Sequence, residues 1–191
     1  MQKRTFSIID MCMGWLAFTI AAITYCLTIE PTASLWDCSE FITCGYKLEI
    51  GHPPGAPFFM LMANLFSQFA SSPSEVARMV NLLSALLSAG CILFLFWTIT
   101  HLVRRLIVSD DDYSIRKVIL IESCGIVGAL AYTWSDTFWF SAVEAEVYAF
   151  SSFLTALVFW LLLNWDDDAE SSTSDRWIIL IAYLMGLSIG V

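Results

Sequence analysis

Apolar residues run along this chain in long blocks broken by short polar stretches, and most of the blocks have the length of a membrane crossing. The first, 6–29, holds about 24 residues, enough to cross roughly 30 Å of hydrocarbon at about 1.5 Å per residue. Blocks at 77–103, 118–134, 147–165 and from 177 onward predict further spans. Pro31 ends the first, Arg104 and Arg105 close the second, and Arg116 and Lys117 open the third. The block 56–69 is different: about 14 residues, interrupted by Asn64 and Gln68, it suits an interfacial or re-entrant helix. The fold class predicted is an all-α polytopic membrane protein with interfacial helices in its first outer loop, residues 30–72.

Between the first two spans lies the polar stretch 36–57, WDCSEFITCGYKLEIGHPPGAP, which gathers Asp37, Glu40, Lys47, Glu49 and His52 where charge is otherwise scarce. Ionisable groups at a bilayer edge are costly unless solvated, paired or used. Ser34 and Asp37 have the spacing of a capping box, which predicts a helix from Leu35 to about Leu48. On it Asp37, Glu40 and Cys44 fall at i, i+3 and i+7, so both carboxylates share a face. Gly51 and His52-Pro-Pro-Gly-Ala-Pro57 then break any helix. Ser72, Pro73 and Glu75 supply an N-cap, a first-turn proline and a third-position acid, a helix start. The stretch 135–146 reads as a polar turn whose Phe138, Trp139 and Phe140, with Trp134, form an interfacial aromatic belt.

Composition narrows the class. The 191 residues are 58% hydrophobic and 14% charged, with mean hydropathy +0.72, whereas soluble domains are about a quarter charged. The net charge of −9 sits largely in the acidic runs 110–112 and 166–170. It excludes nucleic acid, which needs a basic footprint. Asp110–Asp112 is only superficially a metal-binding DxD, and no Cys/His spacing marks a metal site, so no metal ligand is assigned. Cys38 and Cys44, six apart, would occupy different helix faces, which argues against a disulfide. No Ala-x-Ala-like site ends the first block, so it reads as an anchor. With 56–69 held at the surface, Lys3, Arg4, Arg104, Arg105, Arg116, Lys117 and Arg176 all fall on the cytoplasmic side, leaving only Lys47 and Arg78 outside. That places the 36–57 loop and the 135–146 turn together on the outer face. The closing GLSIGV carries no stop signal, which reads as the N-terminal part of a longer protein.

WDCSEF followed by GHPPGAP, and AVEAEVYAFSSFLTALVFW at 142–160, resemble the N-terminal region of the bacterial membrane proteins of glycosyltransferase family 117. These are relatives of the eukaryotic transmembrane O-mannosyltransferases and, more distantly, of the protein mannosyltransferases with a GT-C fold. The resemblance implies a GT-C-like membrane module and a glycosyltransferase. Its donor would be a polyprenyl-phosphate sugar, with mannose expected, and its acceptor a hydroxyl of a translocated protein. It also puts Asp37 at the position of the catalytic base and a phosphate-contacting arginine near Arg78.

The chemistry asks for a base, a group to meet the leaving phosphate, and access for both substrates. Asp37 is the candidate base; Glu40, one turn on, would orient it, raise its proton affinity by like-charge proximity, or hold sugar hydroxyls. A single carboxylate with direct phosphate displacement implies inversion, by analogy with glycosidases. His52 and Arg78 are candidates for the phosphate. Glu144, Glu146 and Tyr148 are candidates for sugar or acceptor, with Glu144 and Glu146 pointing apart if helical and Tyr148 sharing the face of Glu144. For each, the plain alternative is a solvated acid, a loop histidine or a snorkelling cation. His101, beside Arg104, reads as structural. The alternative from another class is a transporter, flippase or scaffold. Such a protein should carry ionisable groups mid-span, but the hydrophobic centres here are almost free of charge, apart from Asp10 and Glu122, each near the start of a span.

Overall fold

The structure is a computed structural model and describes residues 3–109 and 112–191; Asp110 and Asp111 of the acidic loop lie outside the described residues. Its regular elements are all helical: α1 (Lys3–Leu27), α2 (Cys38–Lys47), α3 (Pro57–Ser67), a 3₁₀ turn (Pro73–Glu75), α4 (Val76–Ile107), α5 (Ile115–Thr133), α6 (Asp136–Ala142), α7 (Val147–Asp167) and α8 (Asp175–Ser188). Among the described residues three helices are long and apolar enough to cross a membrane: α1, α4 with its leading turn, and α7. The pair α5–α6, bent by 69°, makes a fourth if it is one broken span. At 14 residues, α8 is about 21 Å long, short of the hydrocarbon layer.

The bundle is built around α4. In its most apolar window 61% of residues are buried, against 22% in α1 and in α7, so α4 is the pillar and the others face outward on one side. Without a hydrophobic drive between helices in lipid, close approach depends on small residues. Ala17 and Ala21 of α1 meet Ala85 and Ala89 of α4, all four fully buried. Gly90 lies under the Phe153 ring of α7, where a Cβ would come within 2.7 Å of the ring. The Tyr25 hydroxyl donates to the Thr133 carbonyl at 3.0 Å, tying the end of α1 to the end of α5.

The two ends of the bundle differ in chemistry. At one, Arg104 and Arg105 of α4 pair with Asp167, and Arg105 also with Asp166, both at the close of α7. His101 lies in the same cluster, its Nδ1 3.4 Å from the Arg104 guanidinium. At the other end sit α2, α3 and the α6–α7 link. There Glu30 N–H donates to the Val143 carbonyl at 3.0 Å, and the buried Asn81 amide of α4 donates to the carbonyls of Glu30 and Thr32 at 2.7 and 3.0 Å.

Local sequence explains α2 and α3. Phe41 stacks edge-on against Phe59 at 5.5 Å, and Gly45 lies under the Cβ of Ala63. Both partners advance by four residues, so the helices lie side by side with the same polarity, and the 48–56 segment must double back between them. Asn64, a polar break in an apolar run, caps the end of α2 by donating to the carbonyls of Gly45 and Tyr46 at 3.0 and 2.9 Å. At 11 residues α3 is about 16 Å long and does not cross the layer.

Three local expectations are corrected. The Ser34–Asp37 capping box does not form: α2 begins at Cys38 and Asp37 makes no side-chain cap. Ser34 Oγ donates instead to the Glu144 carboxylate, 110 residues away in sequence. The Ser72 start is also partly different, since Ser72 makes no cap, while the Glu75 carboxylate accepts from Ser71 N–H at 3.0 Å. The turn 135–146 contains a short helix, α6, and its aromatics are not all a belt. Phe138 is buried between Tyr25 and Tyr132, and the Trp139 indole donates to Thr28, leaving Phe140 and Trp134 exposed.

Candidate active site

Asp37 stands exposed immediately before α2, and Glu40 follows one turn later on the same face. The returning segment brings His52 to Glu40. Its carboxylate accepts the His52 backbone N–H at 2.6 Å and faces the ring Nδ1 at 3.2 Å. That backbone hydrogen bond, then the ring, holds the Glu40 carboxyl below its ordinary range. Single ligand atoms from Asp37, Glu40 and His52 all lie within 4.8 Å of one another.

The turn that delivers His52 is tight. Gly55 N–H closes on the His52 carbonyl at 2.9 Å, with Gly55 at φ +92°. Gly51 passes so near Glu40 that an added Cβ would lie 3.1 Å from its Oε1. Trp36, Leu48 and Ala56, none of them glycine, hold φ of +63°, +53° and +37° at the joints of this unit. Each such residue costs about 1–3 kcal/mol and persists only where its surroundings impose it. Here they flank Asp37, the end of α2 and the start of α3.

The second acidic pair does not lie on a helix. Glu144 and Glu146 occupy the non-helical link between α6 and α7, only 5% and 7% exposed. The expected divergence of the two side chains therefore does not apply. Burial pushes the Glu146 carboxyl up to about 7, and the charges of Glu144 and Asp37 push the same way, opposed by His52. Glu146 thus lies within electrostatic reach of Glu144, Asp37 and His52. Among the described residues Glu146 makes no hydrogen bond.

Five of the seven sequence candidates thus converge: Asp37, Glu40, His52, Glu144 and Glu146. Arg78, in the first turn of α4, is exposed and has no ion pair among the described residues. Tyr148 is exposed and lines a separate cleft with Tyr132, Ser135 and Phe138. Since Glu144 is not helical, the shared face expected for the two is absent. Two residues that sequence reasoning passed over hold the site's frame. Asn81 pins the 30–32 segment, and its carbonyl oxygen faces the buried Cys38 thiol at 4.0 Å. Ser34 ties the same loop to Glu144. The signal for Asn81 was a lone amide inside an apolar run, three residues after Arg78. Cys38 and Cys44 are buried free thiols.

An exposed carboxylate, a carboxylate titrating near neutrality and an imidazole at one end of a helical bundle form a set suited to proton abstraction from a hydroxyl. Residues 37–191, which contain all seven sequence candidates, match the model of the protein O-mannosyl-transferase TMEM260 N-terminal domain. The chain belongs to this family. Protein O-mannosyl-transferase tmem260 of Dictyostelium discoideum is 24% identical over 147 residues, 76% of this chain and 16% of its own length. Protein O-mannosyl-transferase TMEM260 of Mus musculus is 26% identical over 172 residues, 90% of this chain and 22% of its own length. The chain thus spans less than a quarter of either relative. No solved structure matches it. Within this TMEM260-type N-terminal domain, the match begins at Asp37 itself.

Proposed function

We propose that this domain forms the acceptor-activating end of a membrane O-mannosyltransferase. Mannose would pass from a polyprenyl-phosphate donor to a Ser or Thr hydroxyl of a translocated protein, on the outer face of the plasma or inner membrane. The observation that carries the reading is the convergence of Asp37, Glu40, His52 and Glu146 at one end of the bundle, inside the stretch matched by an O-mannosyl-transferase family. The finer affiliation, with the bacterial family 117 proteins and a GT-C-like fold, rests on the motifs WDCSEF and GHPPGAP.

In this scheme Asp37 removes the hydroxyl proton, the freed oxygen attacks the anomeric carbon, and the bond from that carbon to the phosphate oxygen breaks. Polyprenyl phosphate leaves with the electron pair. One direct displacement inverts the anomeric centre. Glu40, fixed by His52, orients the base, while His52 and the exposed Arg78 meet the phosphate. Glu144, Glu146 and Tyr148 contact sugar or acceptor. An open apolar cleft of about 470 Å³, bordered by Leu48, Ile50, Pro54, Pro57 and Leu61, begins beside the His52 turn and offers a path for the lipid chain. The outward orientation is supported by the basic residues at the far end, where α1, α5 and α8 begin and α4 ends.

The test uses the full-length protein in liposomes with radiolabelled polyprenyl-phosphate mannose and a Ser/Thr acceptor peptide. Covalent label on the peptide, with the anomer opposite to that of the donor, is expected. Label that crosses the bilayer without joining the peptide would instead make the protein a transporter.

A further inference from the structure

We propose that Asp37, Glu40 and His52 hold a divalent cation of the first transition row, with Glu146 turned toward it, and that this ion draws the donor phosphate into the acidic site. The second half rests on the mannosyl-transfer reading; the first half does not.

Four carboxylates share this corner, those of Asp37, Glu40, Glu144 and Glu146, and among the described residues none of them is paired with a lysine or arginine. An anionic phosphate approaching such a set is repelled at every step unless a positive charge is supplied. A bound ion is often the largest local charge in a site and reverses that balance. The spacing is suitable. Ligands about 2.1 Å from one ion lie at most about 4.2 Å apart, and the three atoms here already lie within 4.8 Å. Small rotations of Asp37 and of the His52 ring, both exposed, close the set.

Glu146 supplies an independent sign. It is 7% exposed, it has no hydrogen bond among the described residues, and it feels the charges of both Asp37 and His52. A carboxylate on so enclosed a side chain, with no hydrogen bond of its own, would gain a partner from an ion held beside Asp37. The donor set selects the kind of ion. Carboxylates alone suit Mg²⁺ or Ca²⁺, whereas an imidazole in the shell moves the preference toward Mn²⁺ or Zn²⁺. The side chains of His52 and Glu40 are 47% and 36% exposed, so the ion keeps an open side for phosphate oxygen or water. The fourth acid, Glu144, is held by Ser34 and stays behind the set.

The probe is Mn²⁺, titrated into EDTA-stripped full-length protein in phosphatidylcholine nanodiscs and followed by electron paramagnetic resonance. One saturable site is expected, with modulation of the spin echo by an imidazole nitrogen. Glu40→Gln and His52→Gln should each weaken it at least tenfold, and Asp168→Asn, at the opposite end, should leave it unchanged. Absence of the nitrogen modulation in the unmutated protein overturns the site without relying on any variant. Equal affinity in all the proteins means adventitious surface binding and overturns it too. Transfer assays separate the two readings. If stripped protein still transfers mannose at full rate, the ion's role falls and the transferase stands. If Mn²⁺ binding depends on Glu40 and His52 but no preparation transfers mannose, the site stands and the transferase reading falls.

Discussion

The Glu40 carboxylate holds His52 twice, through its backbone N–H at 2.6 Å and through its ring Nδ1 at 3.2 Å. The two residues sit on different segments, α2 and the returning loop. This double contact is what brings the His-Pro-Pro-Gly turn onto the Asp37 face.

Gly51 makes that contact feasible. A methyl group there would press on Glu40 Oε1 from 3.1 Å, so Gly51→Ala should displace the carboxylate by a few tenths of an ångström. Misplacement on this scale is costly in catalysis. Mannosyl transfer is expected to fall roughly tenfold at unchanged protein level, measured with the full-length enzyme; an unaltered rate would mean that the Glu40–His52 geometry is not used.

The α2–α3 pair has its own test. A Cβ on Gly45 would lie 2.6 Å from the Cβ of Ala63, an atom that cannot swing away. Gly45→Ala should therefore destabilise by about 1–3 kcal/mol, as overpacking does, lowering the apparent melting temperature in detergent. Adding Ala63→Gly should restore most of the loss. A double variant no better than the single one would contradict this packing.

Much of this arrangement can be read in the chain, for a physical reason. Long apolar blocks and helical spacing are local signals, so the all-α membrane architecture and the shared face of Asp37 and Glu40 follow from the residues alone. What escapes is set by long-range contact. Ser34 looks like a cap, but Glu144 takes its hydroxyl from 110 positions away. Glu144 and Glu146 seem to diverge only if they are helical, but the break between α6 and α7 leaves both outside a helix, with Glu146 within electrostatic reach of Asp37. Asn81 gives no sign of its partners, since backbone carbonyls at Glu30 and Thr32 carry no sequence signature.

Removing that amide should be felt in the loop. In Asn81→Leu two carbonyls lose their donor, and each unsatisfied group costs about 1–3 kcal/mol if it stays dry. Hydrogen exchange across residues 30–38 should accelerate in the variant, while exchange in the middle of α7 should not change. Uniform acceleration through the whole bundle would point to general unfolding instead.

Stability should also depend on pH through Glu146. Its carboxyl titrates near 7 in the folded chain against an ordinary 4.5, so the folded state binds more protons than the unfolded state between those values. Stability is then greatest below about pH 4.5 for this group and is lost as pH rises toward 7, by at most on the order of 3 kcal/mol. In EDTA, the melting temperature should fall between pH 5 and pH 8, and Glu146→Gln should flatten that slope. A slope unchanged by the substitution would assign the dependence to another group.

The most direct measurement is mannosyl transfer by the full-length enzyme carrying Asp37→Asn, which preserves size and removes the base. The expected result is a loss of at least a hundredfold in turnover, in line with the worth of a positioned proton acceptor, with unchanged expression and melting temperature. Transfer within twofold of the unmutated enzyme, at equal protein level, would contradict the assignment of Asp37 as the group that activates the acceptor.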